Sequence, residues 1–277
     1  MPAGLTIHPA IYRLDELMVY DIFYVNLTSG NDANDGKSVA NAKKTITNAI
    51  SAATSGTPTK IYVWSTDGGE YDEGGTQAAE INKDNIHVIG INRPRLHANL
   101  TISGANSSSF QGLYTRIPTG NGLTFSAAAK DSMFKDIVLE PTADGQVLCN
   151  FGDSTNCRFE NIVGVQTGYD IRTFDSNASK HCVAKDVHNG SVGRTNAFAV
   201  IGGGNPLGNT FINCTGVGDF QDSPLDANSG YTTLIDCAID GKYTKNSNVV
   251  GTRFISCLLY TSPSPRDLST SRMPSSA

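Results

Sequence analysis

Lys135, Glu160 and Lys185 stand 25 residues apart, each one position after an apolar residue and one before an Asp or Asn. Charged groups held at one recurring position could do chemistry: a lysine could take a proton from a sugar carbon beside a carboxylate while a neighbouring cation neutralises the acid group. The competing account is a solvated ion ladder, worth about 0–1 kcal/mol a pair. A second candidate is the acidic segment Asp219-Phe-Gln-Asp222-Ser-Pro-Leu-Asp226. Its carboxylates could bind calcium or serve as the acid and base pair of a glycosidase, and a solvated turn explains them equally well. The loop over residues 31–36 gathers Asp32, Asn34 and Asp35 around a glycine turn, a composition suited to an oxygen cage for Ca2+. It lacks the alternating register and closing Glu of an EF-hand loop, and turn chemistry also accounts for it. Tyr62 and Trp64 alternate with Ile61 and Val63, so they should face outward, to stack on sugar rings or to pack beneath a helix.

Residues two dozen positions apart act together only if the chain returns to the same place, and the sequence repeats in a way that does this. Six four-residue cells read Phe134-Lys-Asp136-Ile137, Phe159-Glu-Asn161-Ile162, Ala184-Lys-Asp186-Val187, Phe211-Ile-Asn213-Cys214, Leu234-Ile-Asp236-Cys237 and Phe254-Ile-Ser256-Cys257. Their first residues lie 25, 25, 27, 23 and 20 positions apart. That period suits one coil of a parallel β-solenoid, each coil stacking on the last at about 4.8 Å. Within a cell the first residue faces inward and the second faces solvent. The Asn or Asp sits at a bend, where its side chain can satisfy unpaired backbone groups.

The cell resembles the bend between the second and third sheets of right-handed parallel β-helices of the pectate-lyase-like superfamily. Residues 22–73 are similar to that superfamily's entry module, a strand, an Asp/Asn-Gly loop, a short helix and then the first coil. The resemblance covers about residues 22–256. It implies an all-β, single-stranded right-handed parallel β-helix with an N-terminal capping strand and short helix over residues 22–59 and coils over residues 60–256. It implies no single activity, because the superfamily holds lyases, hydrolases, epimerases and inert spikes. The Asn-Thr-Asp, Asp-Asp and Gly-His-Gly marks of polygalacturonase-type hydrolases are not found, nor is a pectate-lyase-type calcium and arginine constellation. The helix is expected over residues 38–53, where Ile46, Ala49, Ile50 and Ala53 fall on one face, and it should cover the open end of the solenoid. His181 and His188 could meet on one coil.

The chain ends differ from the body. Residues 1–21 have no assignable structure; Met18, just before the first strand, is one candidate start, and an upstream truncation is the competing account. CLLYTSPSPRD, residues 257–267, and SRMPSSA, residues 271–277, read as a translated sequencing adapter and its flanking primer. Residues 257–277 are therefore expected to be foreign to the fold, with any continued strand ending near Leu259, and the solenoid to be C-terminally truncated. Without Arg266, Arg272 and Asp267 there remain 19 basic and 25 acidic residues, a net charge near −6. That argues against a nucleic-acid partner, since phosphate binding needs a basic face. No run of eighteen apolar residues occurs, so no membrane span is expected. Cys149, Cys157, Cys182, Cys214 and Cys237 recur along the coils. Stacked parallel strands leave Cβ vectors nearly parallel, which suits disulfides poorly, so the cysteines are read as small apolar fillers. No cofactor is required on this reading, with Ca2+ the one ion that has candidate ligands.

Three functions are consistent with these features. One is a virion tail or surface β-helix that engages a polysaccharide or surface glycan, as a homotrimer if it is a spike. The second is a secreted polysaccharide lyase or glycoside hydrolase, and the third a structural spacer. The expected location is the virion or the extracellular space.

Overall fold

The computed structural model of the chain describes residues 20–73, 77–165, 168–190, 198–202, 206–223, 231–245, 247, 249 and 251–259. The expectations for residues 1–19 and 260–277 lie outside the described residues. The strands pair in parallel and stack as a β-solenoid, a 16-stranded sheet facing an eight-stranded one. The fold is an all-β parallel β-helix with, among the described residues, a single helix near its start.

The repeat cell explains the winding. Phe110, Phe134, Phe159, Ala184, Phe211 and Leu234 stand in register on successive coils, all fully buried. The short polar residue that follows takes a left-handed conformation in every cell: φ is 54° at Asp136, 52° at Asn161, 53° at Asp186, 50° at Asn213, 52° at Asp236 and 53° at Ser256. One such residue turns a strand sharply, and Asn and Asp tolerate that region better than branched residues. Each coil therefore rounds a corner, and the 16-stranded sheet has two faces. The first carries ten strands, from Asp21–Asn26 to Arg253–Ile255. The second runs from Glu70–Tyr71 to Leu258–Leu259. The eight-stranded sheet, Ala78–Ile81 to Tyr243–Lys245, closes the third side.

At the bend the polar side chains form an Asn/Asp ladder between coils, bonding one another as well as standing where backbone groups need partners. Asn161 Nδ2 donates to Asp136 Oδ1 at 2.7 Å, and Asn213 Nδ2 donates to Asp186 Oδ1 at 2.7 Å. Alternating amide and carboxylate converts like-charge contacts into charge-assisted hydrogen bonds.

Aromatic stacking fills the core. Phe110 and Phe134 lie 5.7 Å apart, Phe134 and Phe159 5.5 Å, with the stacked rings nearly parallel. Ala184 interrupts the column, and Phe151 and Phe174 from the opposite sheet reach Phe211 at 6.2 and 4.9 Å to fill the gap. All six cysteines are free, and the five before residue 257 are buried. No helix among the described residues is long and apolar enough to cross a membrane.

The helix covers Ile46–Ala52, shorter than residues 38–53. Lys43 is held extended beside the first strand: Asn26 N donates to its carbonyl and its own N–H donates to Tyr24, both at 2.9 Å. Helical φ and ψ can begin only beyond Thr45, whose Oγ1 caps by accepting from Asn48 N at 3.2 Å. Glu73 is buried under the first turn and accepts from Ile46 N at 3.2 Å and Thr47 N at 2.9 Å. Burial pushes its carboxyl above the ordinary range, against the downward pull of these donors. A proton is then held more tightly in the folded state than in the unfolded one. Glu73's contribution to stability is complete below its ordinary 4.5 and declines as pH rises through the raised value. Raising the pH from about 4 to about 7 should lower wild-type stability relative to Glu73→Gln in urea unfolding. A difference that stays flat with pH would contradict a desolvated carboxyl at this helix end.

Candidate functional site

The first face presents two outward columns. One runs from Tyr24 and Tyr62 through Ile89 and Gln111 to Lys135, Glu160 and Lys185, then continues as Ile212, Ile235 and Ile255. Lys135, Glu160 and Lys185 thus share one column, but only two of them pair. Lys135 Nζ donates to Glu160 Oε1 at 2.9 Å, whereas Lys185 Nζ lies 3.8 Å from Asp186 Oδ2 on its own strand. The Glu160 hydrogen bond, then its charge, raises the Lys135 ammonium above its usual range. Lys135 is therefore held as a cation, a poor state for taking a proton from a sugar.

Tyr62 and Trp64 lie on the same face, not beneath the helix. The helix buries Ile46, Ala49 and Ile50 in the core together with Ile61 and Val63, the inward residues of that strand. Alternation turns Tyr62 and Trp64 the other way, where both are half-buried. Tyr24 joins them, stacked on Tyr62 at 6.1 Å and edge-on to Trp64 at 6.4 Å. Tyr24 was within reach of sequence reasoning, since it stands in the first strand at the same alternation.

The neighbouring outward column contains Met133, Arg158 and Val183. It borders an open cleft of about 470 Å³, lined by Asp131, Ser132, Met133, Asn156, Arg158, His181 and Val183. The floor follows a second left-handed column, with φ of 51° at Ser107, 51° at Asp131, 55° at Asn156 and 53° at His181. Asn156 Nδ2 donates to Asp131 Oδ1 at 3.2 Å. These residues stand three positions before their cell heads, a spacing the sequence shows but the sequence reading did not use. His181 lines this cleft while His188 lies past the bend on the second face, bonded to Thr215 Oγ1 at 3.1 Å, so the two do not form a pair.

The other candidates have structural partners. The Asp32 carboxylate accepts from Lys44 N and Thr45 N, both at 2.9 Å. Asn34 Nδ2 donates to Ala42 O at 2.9 Å, and Asp35 Oδ1 accepts from Lys37 N at 2.9 Å. Lys43 Nζ donates to the carbonyls of Asp32 at 3.2 Å and Asn34 at 2.6 Å, bringing an internal cation to the loop's oxygens. Among the described residues no group of three or more His, Cys, Asp or Glu side chains could hold a metal. Asp219 Oδ1 accepts from Lys242 N on the next coil at 2.8 Å. The solvated turn expected there is in part a strand, Phe220–Ser223, because Phe220 is drawn fully into the core. Asp222 lies on that strand, and Asp226 lies outside the described residues.

The second face holds a charged network of its own. Arg95 lies 3.4 Å from Glu140, Arg116 lies 3.5 Å from Glu70 and 3.8 Å from Glu140, and Tyr114 OH donates to Glu140 at 2.6 Å. Burial, then this hydrogen bond, raises the Tyr114 hydroxyl to about 12. Each charge there faces an opposite one, which makes the network a brace between coils.

No family model matches the sequence, and no curated protein matches it. Solved structures do match in fold. A pectin methylesterase from Erwinia chrysanthemi superposes with a TM-score of 0.51 at 16% identity, covering 89% of this chain and 92% of that one. A pectate lyase from Bacillus sp. N165, in complex with trigalacturonate, superposes with a TM-score of 0.54 at 11% identity, covering 96% and 91%. At such identities the likeness is one of fold, the parallel β-helix of pectate lyases and pectin methylesterases.

Proposed function

We propose that the protein binds an extended polysaccharide along the first face of the solenoid. The observation that carries this reading is the outward column itself: an aromatic group, Tyr24, Tyr62 and Trp64, lies at one end of a straight track that reaches Gln111, Lys135 and Glu160. The track advances about 4.8 Å per coil, close to the rise of one sugar residue in an extended chain. Rings that are apolar on their faces suit sugar stacking, and the amide and charged groups suit hydroxyls. That the two fold relatives are by name a pectin methylesterase and a pectate lyase supports a polysaccharide ligand.

On this reading the protein works at a virion or cell surface outside the cell. A homotrimer would raise avidity by presenting three weak tracks at once. Trp64→Ala and Tyr62→Ala should each weaken retention on immobilised polysaccharide about three- to tenfold, with Trp64→Phe recovering most of the loss. Unchanged retention in both alanine variants would defeat the placement. A second reading, an enzyme acting on polysaccharide, is favoured by the names of the same two relatives. Following new unsaturated ends and released acid during the binding assay tests it, and robust turnover would replace binding with catalysis.

A further inference from the structure

From the buried cysteines we infer that two stacked pairs, Cys157 with Cys182 and Cys214 with Cys237, each bind one soft monovalent cation, Cu(I), in linear two-sulfur coordination. The ladders place each pair on adjacent coils. Cys157 and Cys182 stand one residue before Arg158 and Val183, which are register partners. Cys214 and Cys237 lie between the partners Ile212 and Ile235 and the partners Thr215 and Ala238. All four thiols are free and buried. The inference is independent of any ligand on the outward face.

The four sulfurs lean the same way. Each thiol donates to a carbonyl of the coil before: Cys157 to Ala129 at 3.5 Å, Cys182 to Ser154 at 3.6 Å, Cys214 to Ala184 at 3.6 Å and Cys237 to Phe211 at 3.5 Å. Side chains that point in parallel on stacked strands repeat at the coil rise, about 4.8 Å. A disulfide would have to draw two sulfurs to about 2.05 Å against that geometry. A linear S–Cu–S unit instead spans about 4.6 Å, two metal–thiolate bonds of about 2.3 Å end to end, and leaves the coils in place. Soft thiolates select Cu(I), whereas Ca2+ needs at least six oxygens and Zn2+ four ligands, more than two sulfurs supply. On binding, two S–H protons pass to solvent and one cation takes their place, with no electron transferred. The S–H contacts given up are long, from a weak donor. The two thiolates and their ion keep one negative charge, which Ser154 answers at the first pair. Its buried Oγ lies 3.3 Å from Cys182 Sγ, and its hydrogen can turn there from the Phe151 carbonyl. The Cys157 and Cys182 pair should therefore fill first.

Anaerobic titration of the folded full chain with Cu(I), buffered by a competing chelator, tests this. Cys257 lies opposite Cys237 at the end of the second stack, so the titration is made in Cys257→Ser. Cys149, whose register partners are Leu123 and Phe174 rather than a cysteine, is the internal control. Two ions should bind per chain, each releasing two protons and showing two sulfur ligands by X-ray absorption. Cys157→Ala and Cys182→Ala should each abolish the same, tighter ion, Cys237→Ala the weaker one, and Cys149→Ala neither. Zn2+ should not displace the bound Cu(I). Stoichiometry that survives the loss of a stacked cysteine, or falls equally in Cys149→Ala, overturns the inference. So do nitrogen or oxygen ligands in the absorption spectrum of the Cys257→Ser chain, a result that does not depend on any further variant folding. Because the thiols are buried, the titration is repeated on chain refolded from urea with Cu(I) present, and an ion-free protein after that step overturns it as well.

Discussion

Phe159→Ala is expected to destabilise the protein by about 3–5 kcal/mol in denaturant unfolding. Phe159 is fully buried and stands where the stack is densest, 5.5 Å from Phe134, 5.0 Å from Phe125 and 4.7 Å from Phe151. The coils above and below are tied by the parallel ladder through residues 158–160, so the backbone has little freedom to collapse into the cavity. Glu160→Ala, one residue on, removes a partly exposed ion pair and should cost no more than about 1 kcal/mol. Equal losses for the two variants would mean that the inward and outward positions have been exchanged.

Gly152→Ala should cost about 3 kcal/mol or more, an effect out of proportion to one methyl group. Gly152 has φ of 53°, and a Cβ placed on it would overlap the Phe125 carbonyl oxygen in the coil below. Its carbonyl accepts from Ala178 N at 2.9 Å in the coil above, and its N–H donates to Asn150 Oδ1 at 2.7 Å, so it is fixed from both sides. Gly145→Ala is the control: φ there is 78°, and a Cβ would meet nothing within 4 Å. It should cost only the left-handed penalty, about 1–2 kcal/mol. If the two variants unfold at the same midpoint, backbone conformation alone governs these turns and the close approach of coils carries no weight.

The repeat of Phe, polar bend residue and small apolar residue determined most of the fold. A parallel solenoid brings each position against its equivalent one coil away, so a linear period becomes a contact list without any folding calculation. The inward Phe column, the left-handed Asp136, Asn161 and Asp186, and the common column of Lys135, Glu160 and Lys185 are all legible in that way. Local periodicity misjudged the helix, because the extended pairing of Lys43 with Val25 is a long-range constraint that propensity does not contain.

Side-chain choice among neighbours was decided only in three dimensions. Lys185 could have paired with Glu160 and instead lies by Asp186, and Lys43 brings an ammonium to oxygens that composition alone would offer to calcium. The cleft at Arg158 was equally hidden. Its members come from three coils, and whether a guanidinium finds a carboxylate depends on rotamers and reach across coils. The sequence by itself therefore determined which residues stack, since stacking follows from period. Which of them bond, and which stay free to meet a ligand, was decided by the tertiary structure, because that depends on distances of a few ångströms between side chains that the period leaves open.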